Sequence, residues 1–197
     1  EIAQCLVGSE MCIRDRYYAS EYWKEAGAAP DIIATAKSLG GGVPISAITA
    51  REEIMDSVPV GTIGGTYCGN PLACASALKV MDIMLEEDYA GKAEEIGKKA
   101  TIFFSGLKEK YEEVGDVRGL GSMLGVEFVK TKAEKEPNGE LVSKVIQNAL
   151  QMGLMLENAG THGNVIRFLV PLCVTDEQLE KGFEIFETAL VKAKSDK

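Results

Sequence analysis

Residues 31 to 47 read Asp31-Ile-Ile-Ala-Thr-Ala-Lys37-Ser-Leu-Gly-Gly-Gly42-Val-Pro-Ile-Ser-Ala47, and the fold hangs on them. The apolar run Ile32 to Ala36 has the make-up of a buried strand, and it delivers Lys37 at its end. Gly40, Gly41 and Gly42 follow at once. Glycine after a strand lets the backbone turn with positive φ and come close to a ligand. A lysine there is expected to be partly desolvated, which lowers its pKa and frees a neutral amine to attack carbonyl groups, that of pyridoxal phosphate among them. A surface lysine that merely closes a strand fits the same residues. Lysine and glycines alone do not decide between the two.

Working outward, Val43 to Ala50 is apolar and β-branched, a second strand beside the first. Arg51 to Val58 is a short helix candidate before Pro59. The stretch Gly61-Thr-Ile-Gly-Gly-Thr66-Tyr-Cys-Gly-Asn70-Pro71 then ends in a helix start, since asparagine caps free N–H groups and proline suits the first helical position. The helix is expected from Pro71 to about Glu87, with Leu72, Ala75, Leu78 and Val80 among its apolar positions. A glycine-rich loop with a hydroxyl just before a helix is a phosphate cradle in one reading, with Thr66 bonding a phosphate oxygen. In the other it is a plain turn.

Ala90 to Val114 reads as a long amphipathic helix, with Ile96, Ala100, Phe103, Phe104, Leu107 and Tyr111 as its core positions. Val117 to Val129 holds two strand-like runs, Lys130 to Gly139 is a charged loop, and Glu140 to Met152 is helical. Leu154 to Glu157 and Val165 to Leu172 are strands. Thr175 caps the last helix, with Asp176 and Glu177 in its first turn. Arg167, flanked by apolar residues, either snorkels from an amphipathic strand or is held for a carboxylate, which guanidinium binds bidentately. Arg118 is read as structural. A boundary near 90 to 115 separates a mostly parallel α/β part (1–90) from a smaller α+β part (91–197).

The formal charge of −9 gives no basic stripe for nucleic acid or an anionic membrane, and no segment approaches the length of a bilayer span. Five cysteines without a C-x-x-C pair, and one histidine (His162, in a glycine-flanked loop), support neither a zinc site nor a disulfide scaffold. They fit a reducing cytoplasm. Tyr17 to Ala26 suggests a short helix ending at Gly27. Cys5 to Arg16 follows no periodicity. The sequence begins at Glu1, without a secretory leader, and is expected to be a piece lacking an upstream part.

Four ordered stretches resemble the class III (ornithine/4-aminobutyrate type) pyridoxal-phosphate aminotransferases: residues 31–42, Gly64 to Pro71, Val117 to Gly121 and Arg167 to Leu172. The resemblance covers roughly residues 17 to 193. It implies the PLP-transferase fold type I, with residues 1–90 as the end of the large parallel-sheet domain and 91–197 as the small C-terminal domain. Lys37 matches the lysine that holds pyridoxal 5'-phosphate as an internal aldimine and then shuttles a proton. Thr66 matches the threonine that binds the cofactor phosphate of the neighbouring subunit, implying a homodimer. Arg167 matches the arginine that clamps the carboxylate of glutamate or its keto acid.

The pairing of Gly64 to Pro71 with Asn164 to Leu172 points within the family to the 4-aminobutyrate branch: amino transfer from an ω-amino acid to 2-oxoglutarate by a ping-pong mechanism. The ornithine, acetylornithine and diaminononanoate activities, the glutamate-semialdehyde mutase reaction and a non-catalytic half-protein are the rivals. Two departures bear on activity. The family's ring-pairing aspartate falls just before Glu1. Cys5 to Arg16 replaces the family's glycine-rich stretch and resembles a translated sequencing-adapter junction, so Cys5 and Cys12 carry no functional argument. The piece alone is expected to be inactive.

Overall fold

The computed structural model describes Gly27 and residues 29–195. The expected helix at 17–26 and the Cys5 to Arg16 stretch lie outside them. The chain divides into two compact units between Ala90 and Gly91.

In the first unit, β1 (Ile32–Thr35) leads through a 3-10 turn (Lys37–Gly40) to β2 (Ala47–Ala50), with which it pairs antiparallel, Ile32 opposite Ala50 and Thr35 opposite Ala47. A mostly parallel arrangement was expected of this part. The connection of residues 36–46 carries no crossover helix, and parallel neighbours need one. Nor is β1 buried throughout: Thr35 is, but Ile32 is 50% exposed, where the sheet has two strands among the described residues. A short helix α1 (Glu52–Met55) follows.

Helix α2 (Pro71–Glu86) starts where expected, the Asn70 side chain accepting from the N–H groups of Leu72 (3.0 Å) and Ala73 (3.4 Å). Its buried face is not the leucine face. Ala73 and Ala77 are buried, whereas Leu72 and Leu78 are 71% and 62% exposed. The reason is close approach: the turn after β1 lies against this helix, with Leu39, Ala77, Ala36, Ile45 and Met81 forming a small core. A Cβ on Gly41, which has φ 55°, would lie 2.9 Å from Val80 Cγ2. Small residues are what that seat admits.

The second unit is an antiparallel sheet with helices on one face. Helix α3 (Tyr89–Lys110) enters it, followed by β3 (Val114–Leu120), β4 (Met123–Phe128), α4 (Gly139–Gln151), β5 (Glu157–Ala159), β6 (Val165–Leu169) and α5 (Asp176–Ser195), in the sheet order β3-β4-β6-β5. Strands alternate their side chains. Leu124, Val126, Phe128, Ile166 and Phe168 therefore face one way, into a core shared with Phe104 and Leu107 of α3, Val142 and Val145 of α4, and Phe186 and Leu190 of α5. Phe104 and Phe168 meet edge to face, ring centroids 5.5 Å apart.

Two strands differ in extent from expectation. Pairing with β6 begins only at Glu157, and Leu154 and Leu156 pack instead against the core. β6 stops at Leu169 because Pro171, two residues on, has no N–H to give a ladder. Thr175 does cap α5: its Oγ1 accepts from Gln178 N at 3.3 Å, while Gln178 Oε1 accepts from Thr175 N at 3.1 Å.

Two glycines of α3 give a paired test. A Cβ on Gly97 would stand 2.1 Å from the Gly121 carbonyl oxygen, where the β3–β4 hairpin crosses the helix, whereas one on Gly106 meets nothing within 4 Å. Gly106→Ala is expected to stabilise the chain by about 0.5–1 kcal/mol through helix propensity, and Gly97→Ala to destabilise it by more than about 2 kcal/mol through backbone displacement. Urea denaturation of both variants reads the two signs, and equal effects would refute this packing.

Candidate active site

In the first unit, Lys37 and Thr66 border one open cavity of about 690 Å³, together with Val43, Ser46, Gly65 and Cys68. Two separate elements bring them there. Lys37 is the second residue after the β1 end; Thr66 lies four residues before the α2 cap. The cavity thus joins an amine, a hydroxyl and glycine backbone, a donor set suited to a phosphorylated carbonyl compound.

The backbone of Lys37 is unusual. Its φ is 48°, in the left-handed region, which among the described non-glycine residues only Asp88 and Lys135 share. A long side chain there costs on the order of 1–3 kcal/mol, and such strain collects at functional sites. The sequence gives no sign of it, because glycine was expected to carry the positive φ. The expected desolvation is absent: Lys37 is exposed at the mouth of an open cavity. Thr66 is exposed too, within a loop whose Val60, Ile63 and Tyr67 also face outward.

Arg167 belongs to the second unit. Ile166 and Phe168 turn inward, so Arg167 stands on the opposite sheet face, where its row runs Arg118, Gly125, Arg167, Glu157 across the four strands. It is half-buried, and its guanidinium donates to the Glu157 carboxylate from the neighbouring strand. Sequence reading missed that partner, although facing positions on paired strands are the signal that finds it. The Arg167 Nε is buried without an acceptor among the described residues. An unmatched N–H of a charged group is costly, so this guanidinium retains capacity for a carboxylate. Arg167 also borders an apolar cavity of about 590 Å³ lined by Phe168, Phe183, Leu154 and Gln178.

Arg118, read as structural, donates to Asp116 Oδ2 at 3.2 Å and to Glu127. Lys108 donates to Asp116 Oδ1 at 2.9 Å, and that hydrogen bond, then Arg118, holds the Asp116 carboxyl below its ordinary value. His162 is exposed in its loop. Among the described residues no group of side chains could hold a metal ion, and no helix is long and apolar enough to cross a membrane.

Residues 16–190 match the family Aminotransferase class-III. The chain is 39% identical over 171 residues to the 4-aminobutyrate aminotransferase GabT of Escherichia coli K12, covering 87% of this chain and 40% of that protein. It is 42% identical over 169 residues to the 5-aminovalerate aminotransferase DavT of Pseudomonas aeruginosa, covering 86% and 39%. The chain thus spans about two fifths of the length of the curated relatives it matches. Among solved structures it superposes, with TM-score 0.82 and 29% identity, on an amine transaminase from an uncultivated Pseudomonas species in a PLP-bound form, covering 95% of this chain and 43% of that one. Its fold is that of the pyridoxal-phosphate transaminases, the type I arrangement expected from sequence.

The depressed Asp116 carboxyl fixes a sign. A carboxyl whose folded pKa lies below its unfolded value stabilises the fold above the unfolded value, about 3.9, and loses that contribution as pH falls through the folded one. The stability gap between the parent chain and Asp116→Asn should be full near pH 6 and shrink below about pH 4. Urea midpoints between pH 3 and 7 measure it, and a gap independent of pH would overturn the assignment.

Proposed function

The chain belongs to the class III aminotransferase family, and from that premise we propose that it is the lysine-bearing part of an enzyme that moves an amino group from an ω-amino acid, 4-aminobutyrate foremost, to 2-oxoglutarate. The observation that carries this reading is the left-handed Lys37 at a cavity it shares with Thr66. Of the two units, the first is the end of the large cofactor-binding domain and the second the small C-terminal domain. The exposed or half-exposed thiols Cys68, Cys74 and Cys173, none in a disulfide, suit a cytoplasmic enzyme.

The residues fit pyridoxal 5'-phosphate: Lys37 offers the attaching amine, Thr66 the hydroxyl for the phosphate, and Gly65 and Gly69 approachable backbone. When bound, the cofactor supplies an electron-withdrawing ring that takes up the charge developing at the substrate carbon. The amine of Lys37, once released, moves a proton at the carbon that bears the substrate's amino group. Arg167 binds and orients the carboxylate of the 2-oxo acid, and Glu157 holds the guanidinium in place.

Thr66 serves the site of the neighbouring subunit in a homodimer. In support, Val60, Ile63 and Tyr67 in its loop are exposed, and apolar side chains grouped on a surface mark a face that associates.

In the full-length enzyme, Lys37→Ala should lower amino transfer by at least about 10²-fold. Arg167→Ala should raise KM for 2-oxoglutarate by about 10–100-fold, the loss of a charge-assisted bidentate contact. Dimers carrying Lys37→Ala on one subunit and Thr66→Ala on the other decide the subunit question. If Thr66 serves its neighbour, one of the two sites is intact and about half the activity returns. If it serves its own subunit, neither site is intact and activity stays lost. A parent enzyme that transfers no amino group from 4-aminobutyrate would overturn the donor assignment.

A further inference from the structure

We propose that Ser76, in the second turn of α2, is a positioning residue for Lys37, an inference that rests on the role given to Lys37 above. A strained backbone persists only where its surroundings over-determine it. The turn that begins at Lys37 has its own hydrogen bonds, Leu39 N to the Ala36 carbonyl (3.1 Å), Gly41 N to that of Ser38 (3.1 Å) and Val43 N to that of Gly40 (2.9 Å). These bonds shape the turn but do not tie it to anything else. Its attachment to α2 comes from apolar contact at Leu39 and Ala77, and from Ser76 Oγ donating to the Gly40 carbonyl at 2.7 Å. Apolar contact is non-directional and tolerates sliding. The hydrogen bond sets the register.

The same helix begins at Asn70, whose side chain caps it directly after the Thr66 loop. Six residues of helix rise about 9 Å. Helix α2 is therefore a rigid spacer, fastened to the Thr66 loop at one end and, about one and two-thirds turns on, to the Lys37 turn through Ser76. Alanine is the better helix former at an interior position, so the hydroxyl is not there for the helix. Its one described bond is to the turn. The Gly40 carbonyl also accepts from Val43 N, so Ser76→Ala leaves no orphaned acceptor, and the fold should survive it.

The test uses the 197-residue chain with pyridoxal 5'-phosphate as the probe. Borohydride reduction fixes whatever lysine has reacted, and peptide mass spectrometry gives the share carried by Lys37 against exposed lysines such as Lys99. In the parent chain Lys37 should be preferred. Ser76→Ala should cut that preference about three- to tenfold with an unchanged thermal midpoint, and Ser76→Thr should restore it. Should Ser76→Ala lower the midpoint, the comparison moves to Ser76→Thr against Ser76→Val, which share a shape and differ in the hydroxyl. Equal Lys37 labelling within the pair, or in the parent and Ser76→Ala, overturns the role of Ser76 alone. A parent chain that labels Lys37 no better than Lys99 overturns the assignment of Lys37 itself.

Discussion

A strand sends alternate side chains to opposite faces, and the second unit is built around that one constraint. Because Ile166 and Phe168 are committed to the core, Arg167 has no freedom: it must stand on the far face. The same alternation on β4 puts Leu124 and Val126 inside and leaves Gly125 opposite Arg167, where an added Cβ would stand 3.3 Å from Val165 Cγ1. Core packing and site geometry are thus one decision. A one-residue slip of β6 would bury the arginine and expose the two apolar residues, so the core that stabilises the unit also guards its chemistry.

The first unit works by a different logic. It has a small apolar seat and a glycine turn pressed onto a helix lined with alanine, and at the start of that turn a lysine is held in a conformation it would not choose. Four residues on, at Gly41, the turn packs so closely onto the helix that an added Cβ would stand 2.9 Å from Val80 Cγ2. Function and backbone cost sit side by side, as they do where a reactive group must be aimed rather than merely exposed.

Much of this was legible in the sequence, because it rests on short-range rules. Asn70-Pro71 announced α2, the spacing of Ile96, Ala100, Phe104 and Leu107 announced α3, and Thr175 announced α5. What escaped depends on partners distant along the chain. The antiparallel pairing of β1 and β2, the burial of alanines instead of leucines on α2, and the match of Glu157 to Arg167 are each set by a neighbour the local pattern does not name. Lys37 was found as a candidate through its glycines, but its positive φ was not, since a side chain of that length predicts the opposite.

Helix α2 carries two faces under different rules. Ala73 and Ala77 are buried, Ala77 against the turn, where a Cβ added to Gly41 would stand 2.9 Å from Val80 Cγ2. Leu78 and Leu85, two turns apart on the outward side, are mostly exposed among the described residues. Related chains should therefore drift differently along one helix. The inner positions should keep their size whatever else changes, while the outer ones should keep their oiliness only where something covers them. Comparing the two columns across relatives would separate what the fold demands of this helix from what its surroundings demand.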